Sequence, residues 1–219
     1  MGRRWRWGAG SAGCCTRPGS SCGEGKPPRG ASSPRSAALP RKAVPGRPDR
    51  TVIVRDHRDG GVTSTALYSP CGSYRYLLTR TWAPDLPTLL AVLLNPSTAT
   101  EAQGDPTADR CLRRARAAGY GSLRIANLFA LRATDPRALR DAADPVGPET
   151  DAVLTQAAAG AARILCAWGN HGVLLGRATQ VRALLQACGR PLCHLGQTLQ
   201  GLPVHPLYIA ADRPMRDWA

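Results

Sequence analysis

Polar side chains that could bind or activate a substrate are concentrated in four short segments, each of which follows a run of apolar residues. The segments are Asn95-Pro96-Ser97-Thr98, Asn127, Trp168-Gly169-Asn170-His171-Gly172 and His205-Pro206-Leu207-Tyr208. Histidine and asparagine donate and accept hydrogen bonds, and tryptophan offers a flat apolar surface to a planar ligand. Asp105 and Arg132 add a candidate carboxylate and a candidate phosphate-binding cation. Turn formation alone accounts for each segment, so the prediction of a site depends on all four segments lying close together in the fold.

Several common catalytic and cofactor-binding motifs are absent from the sequence. It has no Gly-x-x-x-x-Gly-Lys-Ser/Thr loop, no Gly-x-Gly-x-x-Gly after a strand, no His-Glu-x-x-His and no Gly-x-Ser-x-Gly between a strand and a helix. The eight cysteines include no Cys-x-x-Cys pair, and the four histidines lack the spacing of zinc ligands. The sequence therefore predicts no metal and no cofactor, which argues against ATP hydrolysis, dinucleotide redox chemistry and zinc catalysis.

An alternation of strand-like and helix-like segments must position the polar residues. Apolar or alternating runs predict strands at residues 74–80, 88–94, 122–126, 163–168 and 191–195, the first of them antiparallel and near a sheet edge. Caps, prolines and glycines predict helices at residues 106–118, 148–161 and 172–188. This order is typical of a three-layer α/β fold, with a mostly parallel central sheet and helices on both faces. Ligands of such sheets bind beyond the carboxyl ends of the strands, where the four polar segments lie.

The positive charge of the chain is distributed unevenly. The formal net charge is +14, and residues 1–50 hold 11 of the 29 Lys and Arg residues but only 2 of the 15 Asp and Glu residues. Their Gly, Pro, Ser and Arg content predicts a disordered tail over residues 1–60, followed by a single α/β domain over residues 61–219. The tail is either a solvated extension or a segment that attracts polyanions, and whether residues 1–50 are translated stays open. Four arginines predict a basic helix face that is solvated or follows a nucleic-acid backbone: Arg110, Arg113, Arg114 and Arg116.

The sequence also carries expectations about compartment and assembly. No stretch approaches the roughly 20 apolar residues that a membrane-spanning helix needs, so no membrane is predicted as a partner. Scattered cysteines without a disulfide framework are typical of reduced thiols, which predicts a cytoplasmic protein. The oligomeric state stays open.

A set of short motifs occurs in a fixed order along the predicted domain. The motifs are LNPSTA (94–99), DPT (105–107), GYGSLRIANLFALRATDP (119–136), DPVGPETD (144–151), AWGNHG (167–172) and HPLYI (205–209). In this set and order the stretch from Tyr68 to Trp218 resembles the family called domain of unknown function 1643. Two positions depart from that pattern. Gly104 stands where the family pattern has an acidic residue, and the lysine that the pattern has near Leu199, before Gly201, is missing.

Three motifs are also similar in order and spacing to the uracil-DNA glycosylase superfamily. The similar segments are Leu94-Asn95-Pro96, Cys166-Ala167-Trp168-Gly169 and His205-Pro206-Leu207-Tyr208, with Asn127 to Pro136 similar to a further segment of some members. This resemblance implies a uracil-DNA glycosylase-like fold in which Asn95 orients water and His205 stabilises charge on a departing base. The predicted catalytic residues are Asn95, Asp105 and His205. The predicted binding residues are Pro96, Ser97, Thr98, Asn127, Arg132, Trp168, Gly169, His171 and Tyr208.

Several candidate residues have a purely structural alternative, and three hypotheses are open for the function. Asp105 and His171 could be helix caps, Trp168 could fill the end of the sheet, and His205 could be a turn residue. The first functional hypothesis is an enzyme resembling an N-glycosidic bond hydrolase that acts on a nucleobase, a nucleotide or DNA, so the predicted partner is a nucleotide or nucleic acid. The second is a non-catalytic module that binds a nucleotide or a modified base. The third is a small-molecule enzyme unrelated to nucleic acid.

Overall fold

The chain forms an α/β fold with a mixed eight-stranded sheet and four α-helices, in a computed structural model that describes residues 52–210 and 212–218. The strands are β1 Ile53–Asp59, β2 Val62–Tyr68, β3 Arg75–Thr81, β4 Thr88–Leu93, β5 Ser122–Asn127, β6 Arg163–Cys166, β7 Leu192–His194 and β8 Arg216–Asp217. The α-helices are α1 Pro106–Ala117, α2 Ala138–Asp141, α3 Thr150–Ala159 and α4 Arg177–Ala187. Two 3-10 helices cover Asn170–Gly176 and Pro206–Tyr208.

The strand order corrects the expectation of a mostly parallel sheet. The order is β1-β2-β3-β5-β4-β6-β7-β8. The pairings β5-β4, β4-β6 and β6-β7 are parallel, whereas the other four pairings are antiparallel. The alternation of strands and helices predicted the parallel centre, because each parallel pair needs a crossover connection. The antiparallel strands lie at the two sides of this centre.

A hairpin that the sequence analysis missed forms one side of the sheet. β1 and β2 pair around Gly60 and Gly61, whose φ angles of 52° and 79° suit the turn of a tight hairpin. Asp59-Gly60-Gly61 is a hairpin signal, but a boundary set at residue 61 assigned it to the tail. β3 therefore lies between β2 and β5, which corrects its predicted place near an edge. The expectations for residues 1–51 fall outside the described residues, and the described residues all belong to one compact unit.

Alternate residues of β4 enter two different hydrophobic clusters. Leu90 and Val92 pack in a cluster with residues of α3 and α4, whereas Leu89 and Ala91 pack in a cluster with residues of α1. Buried side chains thus point to both faces of β4, as the unbroken apolar run predicts. Both clusters reach the carboxyl end of the parallel strands, where they support the residues of the cleft described below.

The last long helix begins later than predicted. α4 starts at Arg177, because Leu174 has an extended ψ of 129° and both Leu175 and Gly176 have positive φ angles of 55° and 65°. The predicted helix over residues 172–188 is wrong for its first five residues, which belong to a 3-10 segment. The close approach of Gly172 to Trp168 is tight, since a Cβ at Gly172 would lie 2.4 Å from the Cδ1 atom of the indole ring.

Helix α1 holds the C-terminal segment through an arginine that the sequence placed on a basic face, either solvated or along a nucleic-acid backbone. Arg114 is buried and donates hydrogen bonds to the carbonyl oxygens of Ala210 and, at 2.7 Å, of Arg213. Arg110 donates to the carbonyl of Ile209 at 2.8 Å. The expectation of a wholly solvated face is therefore wrong for Arg114, because it satisfies carbonyl groups of a segment far away in sequence. Among the described residues, no helix combines the length and apolar character that crossing a membrane requires.

Candidate functional site

A cleft of about 760 Å³ lies beyond the carboxyl ends of β4 and β6. Nine of the twelve predicted site residues line it: Asn95, Ser97, Thr98, Asp105, Trp168, Gly169, His171, His205 and Tyr208. Three others do not, namely Pro96, Asn127 and Arg132. The lining residues come from the turn after β4, the start of α1, the turn after β6 and the 3-10 helix at Pro206–Tyr208. The parallel strands end at one edge of the sheet, so these distant segments meet there.

Asn95 ties the turn after β4 to the loop that follows β5. Its Nδ2 atom donates to the carbonyl oxygen of Ala133 at 2.7 Å and to that of Pro96 at 3.1 Å. Two carbonyl acceptors occupy the amide donor, so the Oδ1 atom is left to accept a hydrogen bond from a ligand or from water. An amide is not basic enough to remove a proton, so Asn95 can orient water but cannot activate it as a base.

Asp105 is both the cap of α1 and a residue of the cleft. Its Oδ1 atom accepts from the backbone N–H of Ala108 at 2.8 Å, which is the capping hydrogen bond that the sequence predicted. Its Oδ2 atom accepts from the backbone N–H of Ala99 at 3.2 Å and so closes the loop before the helix. A carboxylate accepts about four hydrogen bonds, so these two leave capacity for a water molecule or a ligand.

The hydrogen bonding of His205 determines which nitrogen carries the proton of its neutral ring. The Nδ1 atom accepts a hydrogen bond from the backbone N–H of Leu207 at 3.4 Å. Burial lowers the pKa of His205, and the negative charge of Asp105 acts in the opposite direction but more weakly. The neutral ring therefore carries its proton on Nε2, which makes His205 a hydrogen-bond donor at neutral pH.

The lowered pKa of His205 predicts how stability depends on pH. The unfolded chain has an ordinary histidine pKa near 6.5, so as the pH falls it takes up this proton before the folded protein does. The free energy of unfolding should therefore fall as the pH decreases through 6.5. Urea unfolding from about pH 8 to about pH 5 measures the loss, which should be smaller in His205→Asn because it lacks the ring. An equal loss in both proteins would contradict the assignment to His205.

Trp168 and Gly169 form the back of the cleft. Trp168 is only 1% exposed and packs against Trp218 with ring centroids 5.7 Å apart, so most of its indole belongs to the core. Gly169 has a φ of 71° and donates to the carbonyl of Pro203 at 2.8 Å. That conformation is strained for any residue with a Cβ, and it brings the chain against His205. Tyr208, which is 82% exposed, is the more accessible aromatic ring.

A comparison with protein families matches residues 75–207 to the family described as protein of unknown function (DUF1643). The chain belongs to the DUF1643 family. The family predicted from the motifs is thereby confirmed. The matched residues of this DUF1643 protein include Asn95, Asp105 and His205. A search of curated proteins and a search of solved structures each found no match.

The three predicted residues outside the cleft of the DUF1643 protein have structural surroundings of their own. Pro96 is buried, and its carbonyl oxygen accepts from the backbone N–H of Ala133 at 2.9 Å. Asn127 is 2% exposed, and neither amide atom has a hydrogen-bond partner among the described residues. Arg132 is exposed and lies over the ring of Tyr68, 5.5 Å from its centroid. The structure thus places Arg132 beside Tyr68 rather than in the cleft.

The sequence analysis missed a charged residue of the DUF1643 cleft, Arg75. It lines the cleft but is only 3% exposed. Its Nη1 atom donates to the carbonyl oxygen of Ala99, while its Nε atom has no partner among the described residues. Burial lowers the pKa of Arg75 to about 10, while Tyr68 and Asp105 act to raise it, so it remains a cation at neutral pH. An arginine in an alternating strand suggests exposure, so the local pattern did not indicate this burial.

The cleft of the DUF1643 protein combines neutral and charged groups. Arg75 and Asp105 supply one charge of each sign, and the hydroxyl groups of Thr98 and Thr107 add donors and acceptors. Apolar side chains from several elements also line it, among them Leu93, Ile125 and Leu207. Such a cleft, with an apolar lining and a few polar groups, suits a planar polar ligand. Among the residues that the structure describes, no group of three His, Cys, Asp or Glu side chains could hold a metal ion.

Proposed function

We propose that this DUF1643 protein accommodates a nucleobase in its cleft and hydrolyses the N-glycosidic bond of a nucleotide or of DNA. The supporting observation is that Asn95 and His205 line one cleft. The resemblance to the uracil-DNA glycosylases implies that Asn95 orients the attacking water and that His205 stabilises charge on the departing base. The proposal includes a uracil-DNA glycosylase-like, three-layer fold, which the two clusters on β4 support. Free cysteines among the described residues support a reducing compartment such as the cytoplasm.

The chemistry follows from the hydrogen bonds of the site. Water adds to C1′ of the sugar, the C1′–N bond breaks, and its electron pair leaves with the base. Asn95 Oδ1 orients the water, which loses a proton to solvent as the new C–O bond forms. The Nε2–H of His205 donates to the negative charge on the departing base, which then takes a proton from solvent. Asp105 stabilises positive charge on the sugar, since its carboxylate keeps free acceptor capacity.

One observation favours a second candidate, a module that binds a nucleotide or modified base without cleaving it. Both carboxylate oxygens of Asp105 already accept backbone N–H groups, and no other carboxylate lines the cleft among the described residues. A site without a general base can recognise a base while hydrolysing it slowly or not at all. Binding and turnover therefore have to be measured separately.

A panel of modified oligonucleotides tests both candidates on the full chain. Each oligonucleotide carries one deaminated or alkylated base, and free base and abasic sites are quantified; nucleotides are assayed in parallel. We expect base release from at least one substrate. Binding of a base or nucleotide with no product from any substrate would favour the binding module. Neither binding nor product, from protein whose thermal unfolding is cooperative, would rule out both.

A further inference from the structure

Arg75 is a buried cation at the cleft that the proposed chemistry does not use. Among the described residues it forms no ion pair with a carboxylate, and its Nε atom has no hydrogen-bond partner. A buried charge without a close counter-charge is costly, because it has lost the hydration that it had in water. A ligand that brings a negative group into the cleft would offset that cost.

Ala99 brings Arg75 close to the N-terminus of α1. The carbonyl oxygen of Ala99 accepts from Arg75 Nη1, and the backbone N–H of the same residue donates to Asp105, the cap of the helix. The first helical residues, Pro106 and Thr107, line the cleft together with Arg75. The arginine and the helix end therefore belong to one small region.

This region has the chemistry of an anion site. The N-terminus of a helix of 12 residues carries a partial positive charge. Pro106 has no N–H and the N–H of Ala108 donates to Asp105, which leaves the backbone N–H of Thr107 for a ligand. Hydroxyl groups of Ser97, Thr98 and Thr107 also line the cleft and can donate to an oxyanion. Asp105 is the one opposing charge, and two backbone N–H groups already share its negative charge.

We infer that Arg75 and the N-terminus of α1 form a phosphate subsite of the cleft, which takes the phosphate group of the ligand whose base lies near His205. The inference deepens the proposed function and rests on it for the position of the base. Guanidinium groups and helix N-termini both match the geometry and charge of phosphate oxygens. A mononucleotide monoester and a DNA phosphodiester share this chemistry.

Inorganic phosphate tests the subsite without any base. Thermal unfolding of the full chain is followed with phosphate and with chloride at equal ionic strength. We expect phosphate to raise the Tm of the wild type and of Arg58→Gln, a control that removes an exposed arginine on β1. It should not raise the Tm of Arg75→Gln or of Thr107→Glu. We expect Thr107→Glu to fold, because an acidic residue is favourable in the first turn of a helix.

Calorimetry with a nucleoside, its 5′-monophosphate and a short single-stranded oligonucleotide distinguishes the sources of the phosphate. In the wild type, the phosphate should improve affinity by about tenfold or more over the nucleoside, and both variants should lose that gain. Tighter binding of the monophosphate would identify a free nucleotide as the ligand, and tighter binding of the oligonucleotide would identify DNA.

The outcomes separate the subsite from the proposed function. If phosphate leaves the Tm of the wild type unchanged, or still raises it in Thr107→Glu, the subsite is wrong even where base release is observed. If phosphate acts as expected but no base is recognised or released, the subsite stands and the base-handling function is wrong. Should Arg75→Gln fail to fold, the result with Thr107→Glu alone decides whether the phosphate subsite exists.

Discussion

Replacing His205 by asparagine is expected to slow base release by about 10²–10³-fold on the substrate that the wild type cleaves fastest. The Nε2–H of His205 is the donor that stabilises charge on the departing base, and asparagine is too short to replace it. Its amide oxygen can still accept from the backbone N–H of Leu207, as Nδ1 does in the wild type. The variant therefore removes the catalytic donor while keeping the local turn. The rate of product formation under single-turnover conditions measures the effect.

The matched control is His57→Asn, which makes the same change at an exposed histidine of β1, away from the cleft. It should leave the rate unchanged within about twofold, because His57 lies away from the cleft. A surface substitution of this kind changes stability by less than about 0.5 kcal/mol, so the folded fraction should also stay nearly the same. If the two variants release the base at the same rate, His205 does not act on the leaving base. The same conclusion holds if the fall in rate of His205→Asn is fully explained by a fall in its folded fraction.

Replacing Trp168 by alanine is expected to lower the free energy of unfolding by about 3–5 kcal/mol. The indole is 1% exposed and belongs to the cluster that joins β4 to α3 and α4. Truncation would leave a cavity beside Trp218 and Gly172, both of which contact the indole. Equilibrium unfolding in urea, with the slope compared between the two proteins, measures the loss.

Trp82→Ala serves as the control for the loss of a tryptophan. Trp82 is only partly buried, and Arg116 lies over its ring at 5.1 Å from the centroid. Its truncation should cost clearly less, because part of the ring is already in contact with solvent. A loss at Trp168 no larger than the loss at Trp82 would show that the indole does not support the end of the sheet, contrary to its burial.

Local sequence patterns were sufficient to predict the centre of the fold. The apolar run at β4 predicted a strand buried on both faces, and Thr88–Leu93 is such a strand. Asp105 and Pro106 predicted the start of α1, and the Oδ1 atom of Asp105 caps that helix. These features depend on residues adjacent in sequence, which is why one sequence was enough to predict them. The strand ends in turn indicated where nine residues of the cleft would lie.

The sequence by itself determined the α/β class, the parallel centre of the sheet and the family, and it indicated nine of the residues that line the candidate cleft. The tertiary structure decided that Arg132 lies over Tyr68, that Asn127 is buried outside the cleft, and that Arg75 lines it. It also decided that Arg114 binds the C-terminal segment instead of solvent. The physical reason is the same in each case. The placement of these side chains depends on partners far away in the chain, whereas the periodicity of a strand or helix indicates only which face of the element a residue lies on.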